Sequence, residues 1–235
     1  MKRKRPIVAI DGPAGSGKTT VSRHVAERVG YMVLDTGALY RTVALAAQRG
    51  NVDVKSEAIG GFVDELVSRG AIVMGSEDDG TARIWLDGED VTEAIRRPEM
   101  GGLASVVSAV PEVRAALLEL QRTIAAGGGV VVEGRDIGSV VFPDAEAKFF
   151  LTASVEKRAE RRHADFVLAG NAPSIEQVKQ DVIERDQRDS QRAVAPLVQA
   201  KDAYLVDSSE LSFEQVVERI VSRVQEIERR LGAAP

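Results

Sequence analysis

The sequence contains no cysteine, which removes disulfides, thiolate metal sites and cysteine nucleophiles together. Histidine is nearly as scarce. His24 and His163 are the only two, too few for a histidine metal cluster and a poor basis for a Ser-His-Asp triad. Long apolar runs are missing as well. The run Ile7–Ile10 stops at Asp11, too short for a signal-peptide core, and no stretch has the length to span a bilayer. A cytoplasmic protein with no membrane partner is therefore expected. Lysine is sparse too, 8 residues against 23 arginines. Arginine holds carboxylates and phosphates with two parallel hydrogen bonds, so the excess suits an anionic ligand. It equally suits a compositional bias that also favours Ala and Val.

The rest of the composition is that of an ordinary globular chain: 235 residues, 44% hydrophobic and 29% charged. A net charge of −5 argues against a general nucleic-acid coat, so no nucleic-acid partner is expected. The basic cluster Lys2–Arg5 reads as a solvated tail.

Short apolar runs alternate with helix-compatible segments. Ile7–Ile10, Tyr31–Leu34, Val130–Val132, Lys148–Thr152 and Tyr204–Val206 read as buried strands. Helices are expected over Lys18–Val29, Ala38–Arg49, Glu57–Arg69 (capped by Ser56), Pro111–Ala126, Ser154–Leu168, Ile175–Asp189 and Phe213–Leu231, with another near Pro98. Between Ala71 and Asp90 the pattern changes to small antiparallel hairpins, with turns at Asp79-Gly80 and Asp87-Gly88. The expected fold is α/β: a parallel five-stranded sheet flanked by helices, with a small antiparallel β insertion. Trp85 and Met74 are expected to pack the hairpins.

Gly12-Pro13-Ala14-Gly15-Ser16-Gly17-Lys18-Thr19 fits the phosphate-loop pattern G-x-x-x-x-G-K-S/T, directly after a buried strand and opening a helix. Glycines let the backbone wrap a phosphate, and the helix N-terminus adds positive potential. Residues 12–20, including Thr20, are the expected ATP site. Lys18 would reach the β- and γ-phosphates, and the Thr19 hydroxyl would ligate Mg²⁺. The motif leaves the reaction open. No N-K-x-D segment reads guanine, since neither Asn51 nor Asn171 precedes a lysine. No strand ends in the acidic pair of an assembly ATPase. Glu133 is a single acid at a strand end, placed either beside the metal or against backbone.

Three further segments are expected past the carboxyl ends of strands, where open α/β sheets bind ligands: Asp35-Thr36-Gly37-Ala38-Leu39-Tyr40-Arg41; Glu133-Gly134-Arg135-Asp136-Ile137-Gly138; and Glu184–Asp189 running on to Arg192-Ala193-Val194-Ala195-Pro196-Leu197. With the phosphate loop they resemble the bacterial cytidylate kinases over nearly the whole chain, and G-R-D-I-G and R-A-V-A-P-L are specific strings. The resemblance implies one P-loop kinase domain over 1–235. Within it, 61–96 would be the insertion that binds the nucleoside monophosphate and 154–172 the lid. It implies phosphate positioning by Thr36, Arg41, Arg135 and Arg192, cytosine contacts from Ser105, Arg114 and Asp136, ribose contacts from Arg185 and Asp189, and a site wall from Tyr40. Arg158, Arg161 and Arg162, on one helix face, would close over ATP and stabilise the transferring phosphoryl, with Lys18 and Arg192. Substrates would be ATP and CMP or dCMP, the cofactor Mg²⁺, and the protein a monomer.

The chemistry agrees. A carboxylate at the pyrimidine edge accepts from the amine of cytosine, whereas uracil presents a carbonyl there. Two other readings stay open on the residues alone: a P-loop kinase with another small acceptor, and a nucleotide-gated binding module. For the lid arginines, a solvated face paired with Glu156 and Glu160 is the alternative.

Overall fold

A computed structural model describes residues 3–76, 82–170 and 173–232. In chain order the elements are β1 (Ile7–Asp11), α1 (Lys18–Val29), β2 (Met32–Asp35), α2 (Thr36–Arg49) and α3 (Ala58–Ser68). Then come β3 (Ile72–Ser76), β4 (Ala82–Leu86), β5 (Glu89–Asp90), α4 (Pro98–Val107), α5 (Pro111–Ala125) and β6 (Val130–Gly134). A π-turn (Ile137–Val141), β7 (Ala147–Thr152), α6 (Val155–Leu168), α7 (Ile175–Gln191), β8 (Tyr204–Asp207) and α8 (Phe213–Gly232) complete it.

The chain forms two compact units, one of residues up to Leu34 and from Ile124 onward, the other Asp35–Thr123. The five-stranded parallel sheet runs β2-β6-β1-β7-β8, with β1 between β6 and β7. β1 and β6 are buried at every position, which is why their sequences are continuous rather than alternating apolar runs. Val8, Ile10, Val131, Phe149 and Leu151 pack with Val21 and Val25 of α1 and Val217, Ile220 and Val221 of α8. Gly30, at φ 66°, ends α1 and returns its N–H to Ala26 and Glu27 carbonyls.

In the second unit α2–α5 and the antiparallel sheet β3-β4-β5 share a core of Leu39, Val43, Ile59, Val63, Ile84, Leu86 and Leu117. Asp87-Gly88 makes the two-residue turn expected, both at positive φ. Asp79-Gly80 and Thr81 lie outside the described residues, as do Asn171 and the last part of the expected lid span. Trp85 of β4 lies across Gly75 of β3, where an added Cβ would meet its ring at 3.2 Å. Met74 packs against the same core.

Several local expectations are corrected. α2 begins at Thr36 because the Asp35 carboxylate accepts from the Ala38 N–H at 3.0 Å, so Thr36-Gly37 is the first turn of a helix. Ser56 does not cap α3; its hydroxyl donates to the Asp53 carbonyl instead. The basic tail is anchored: Arg3 pairs with Asp144 and Glu146, while Arg5 donates to the Val29 and Gly30 carbonyls and covers the Tyr31 ring at 4.3 Å.

Candidate active site

The first unit carries the phosphate loop. Gly12 sits at φ 153°, and a Cβ there would stand 2.0 Å from the Leu151 carbonyl oxygen of β7. Gly15 and Gly17 are also at positive φ, and a Cβ on Gly15 would come 2.9 Å from the Arg158 carbonyl oxygen. Gly12 and Gly15 are thus required both by backbone conformation and by the neighbours against the loop, and Gly17 by backbone conformation alone. Ala14 and Ser16 are buried, and the ammonium of buried Lys18 donates to Pro13 O (2.7 Å) and Ser16 Oγ (3.3 Å). Burial, and then the Arg135 charge, pull the Lys18 pKa well below its ordinary value, with Glu133 opposing. Thr20 is exposed on α1.

Thr19 donates its hydroxyl proton to Glu133 Oε2 at 3.1 Å. Glu133 is buried at the end of β6, the strand paired beside β1, so the pairing follows from the sheet order. A hydroxyl and a carboxylate are hard oxygen donors, the type Mg²⁺ takes alongside substrate phosphates and water. These residues fit that ion.

The loop after β6 is tied to α7. Arg135 Nε donates to Asp189 Oδ2 at 2.9 Å, and Asp136, 4% exposed, accepts from Arg192 at 3.1 Å. Arg192 also donates to the Ala195 carbonyl, where Ala195 adopts φ 51° and bends the R-A-V-A-P-L string; Leu197 N–H closes the bend onto Asp189 O. Burial works against ionisation of Asp189, but Arg135, Arg185 and Arg192 together hold its carboxyl below the usual range. The third ligand segment therefore does not follow a strand. Arg185 and Asp189 lie on the C-terminal half of α7, on the helix expected over Ile175–Asp189 and not past a strand end.

The three arginines of α6 divide. Arg158 is buried, donates to Ala153 O and Ala14 O, and pairs with Asp186 of α7 at 2.6 Å. Arg161 donates to Ser16 O and to the Ser208 hydroxyl and carbonyl. Arg162 lies over the Phe166 ring at 5.5 Å; burial lowers its pKa, with Asp165 and Asp181 opposing. Glu156 and Glu160 pair with Lys179 and Lys157 instead. The solvated-face alternative does not describe Arg158. Asp11, Asp186 and Ser208 were not among the expected site residues, although Asp186 lies within the Glu184–Asp189 segment and Asp11 is an acid ending an otherwise apolar strand.

The second unit holds the remaining candidates. Thr36 is buried at the start of α2. Arg41 pairs with Asp35 at 2.7 Å, and a Cβ on Gly37 would crowd both partners, at 3.0 and 3.1 Å. The Arg114 guanidinium lies 5.7 Å from the centre of the Tyr40 ring and donates to Ser108 O, while Ser108 donates to Ser105 O. Ser105 and Arg114 are both buried. The unit thus gathers Tyr40, Ser105 and Arg114 through α2, α4 and α5.

The sequence model described as cytidylate kinase matches residues 8–226, which include every candidate residue named above. A cytidylate kinase of Pelotomaculum thermopropionicum is 48% identical over 93% of this chain and 96% of its own length. One of Geobacter sulfurreducens is 46% identical over 99% and 98%. Among solved structures, an uncharacterized protein from Eubacterium ventriosum shares the fold, with TM-score 0.52 at 10% identity, covering 94% of this chain and 99% of its own. Among the described residues no helix is long and apolar enough to cross a membrane. With a phosphate loop, a second loop of paired arginines and carboxylates, and this likeness along nearly its full length, the chain belongs to the cytidylate kinase family of nucleoside monophosphate kinases.

Proposed function

We propose that the chain transfers the γ-phosphoryl group of ATP to CMP or dCMP, giving ADP and CDP or dCDP. The observation that carries this reading is one unit in which the phosphate loop, with its buried lysine, stands beside a β6 loop whose Arg135 and Asp136 are held by Asp189 and Arg192. Arg135 and Arg192 would hold the acceptor phosphate, together with Thr36 and Arg41. Asp136, Ser105 and Arg114 would read the cytosine, Arg185 and Asp189 the ribose, and Tyr40 would wall the site. Residues 61–96 would be the acceptor-binding insertion and 154–172 the lid.

No general base is required. The second pKa of a phosphate monoester is near ~6, so the attacking oxygen is deprotonated at neutral pH. Catalysis reduces to aligning two polyanions and offsetting their charge. The phosphate-loop amides and Lys18 would hold the ATP phosphates, and Thr19 and Glu133 would hold Mg²⁺, which would supply further neutralisation of the phosphate charge. Arg158 and Arg161 act as positioning residues, because their hydrogen bonds go to Ala14 O and Ser16 O of the loop. Arg162 is then the α6 arginine assigned to the transferring group. A closed lid would keep water from accepting the phosphoryl.

The test is an acceptor screen in which ADP release is coupled to a chromogenic reaction. CMP- and dCMP-dependent turnover is expected. Turnover confined to another acceptor, or ATP binding without transfer, would overturn the reading.

A further inference from the structure

Asp11 ends β1, the strand that feeds the phosphate loop, and it is 3% exposed. Its Oδ1 accepts from the Ile137 N–H at 2.7 Å and its Oδ2 from the Gly138 N–H at 2.8 Å. Those two amides open the π-turn, whose later N–H groups, from Val140 and Val141, return to the Asp136 carbonyl. The first amides of any helical turn lack partners within it, so the carboxylate acts as a cap supplied from a different strand. Gly138 makes room for it. A Cβ there would lie 3.4 Å from Asp11 Oδ2 and 3.2 Å from Lys148 Cδ. The Asp11 backbone is also in register with Gly134, the residue before Arg135.

We propose that Asp11 is a positioning residue, whose carboxylate locks the π-turn to the end of β1 and so fixes Arg135 and Asp136 relative to the phosphate loop. The inference rests on the assignment of those two residues to the acceptor nucleotide. The aligned approach of two phosphates depends on the distance between the loops that hold them, and this carboxylate spans that distance directly.

The placement carries a cost. Burial pushes the Asp11 carboxyl up to about 6, against the pull of its two amide hydrogen bonds; Asp136 adds to the rise and Lys18 opposes it. From β7, Lys148 passes only its aliphatic stem by Gly138, its ammonium being bound to Asp202 and Pro143 O. An ionised group held at such a site is explained by what it holds in place.

Asp11→Asn keeps one acceptor but turns an NH₂ toward the other amide. With ATP saturating, KM for CMP should rise and kcat fall, so that kcat/KM drops about tenfold or more, while the ATP dissociation constant measured by calorimetry changes less than about twofold. Equal losses for ATP and CMP, or no loss for either, would overturn the proposal. The wild-type protein provides a second test that needs no variant. In ¹⁵N-resolved NMR, the Ile137 and Gly138 amide protons should titrate together with a midpoint of about 6, and the Arg135 and Asp136 amides should shift with them. If Ile137 and Gly138 titrate alone, the carboxylate positions nothing beyond the turn and the proposal fails. Should the wild-type enzyme not turn over CMP, the assigned function falls, while the titration still decides whether Asp11 couples the two loops.

Discussion

At the scale of single residues, chemistry and position were legible to different degrees. The place of the phosphate loop between a strand and a helix was legible because its residues are contiguous and its glycines take positive φ. Arg135 and Asp136 were legible through their specific string, whereas their partners Asp189 and Arg192 lie 54 and 56 residues further on. Arg158 shows the limit: helical spacing placed it on a face with Arg161 and Arg162, but only the fold brings Asp186 and Ala14 O to it. Lys18→Ala should lower turnover at least ~100-fold, since a preorganised charge donor typically contributes about 3–4 kcal/mol to the transition state; steady-state rates from the folded variant check this. The proposed function assigns base choice to Asp136. Asp136→Asn retains an acceptor for Arg192 but can also donate to the uracil carbonyl, so kcat/KM for CMP over UMP should fall by about tenfold or more, one base-edge pairing being worth about 1–3 kcal/mol. An unchanged ratio with both substrates impaired would move base recognition to Ser105 and Arg114.

Among the elements, strands and helices followed the pattern of apolar runs closely, and the exceptions have physical causes. α2 starts early because Asp35 caps it, and the π-turn after β6 was missed because its first donors are satisfied by Asp11 from β1, a contact across 126 residues. α6 and α7 are joined by the buried Arg158–Asp186 pair. Asp186→Asn leaves the buried guanidinium facing a neutral partner. Breaking a buried pair is costly, although Asp186 keeps some solvent exposure, so a loss of about 2–3 kcal/mol is expected from urea unfolding. Turnover should fall as well, because the same arginine steadies Ala14. A variant with full stability and full activity would show that the pair does neither.

For the molecule as a whole, the alternating pattern was enough to foresee a five-stranded parallel sheet, and the compositional change near Ala71 foretold the small antiparallel one. The anchoring of Arg3 and Arg5 was not legible, since a basic tail looks the same in sequence whether solvated or docked. Global stability should carry the signature of Asp11. Its native pKa, about 6, exceeds the ordinary carboxyl value of 3.8, so between those limits the native state binds the proton more tightly than the unfolded chain. This group therefore opposes folding most above pH 6 and progressively less as the pH falls toward 4. Relative to Asp11→Asn, which does not titrate, wild-type stability should improve by about 1 kcal/mol between pH 7.5 and pH 5. A difference that stays constant across that range would mean the carboxyl titrates normally.

The single tryptophan gives this architecture an optical consequence. Trp85 lies in β4, inside the unit Asp35–Thr123, and the unit with the phosphate loop has no indole at all. Emission excited at 295 nm therefore reports one half of the protein, while far-ultraviolet dichroism reports both. Followed together through a urea titration, coincident midpoints would show that the halves unfold as a single cooperative body. An earlier loss of the indole signal would instead show that the unit Asp35–Thr123 can melt while the parallel sheet stands.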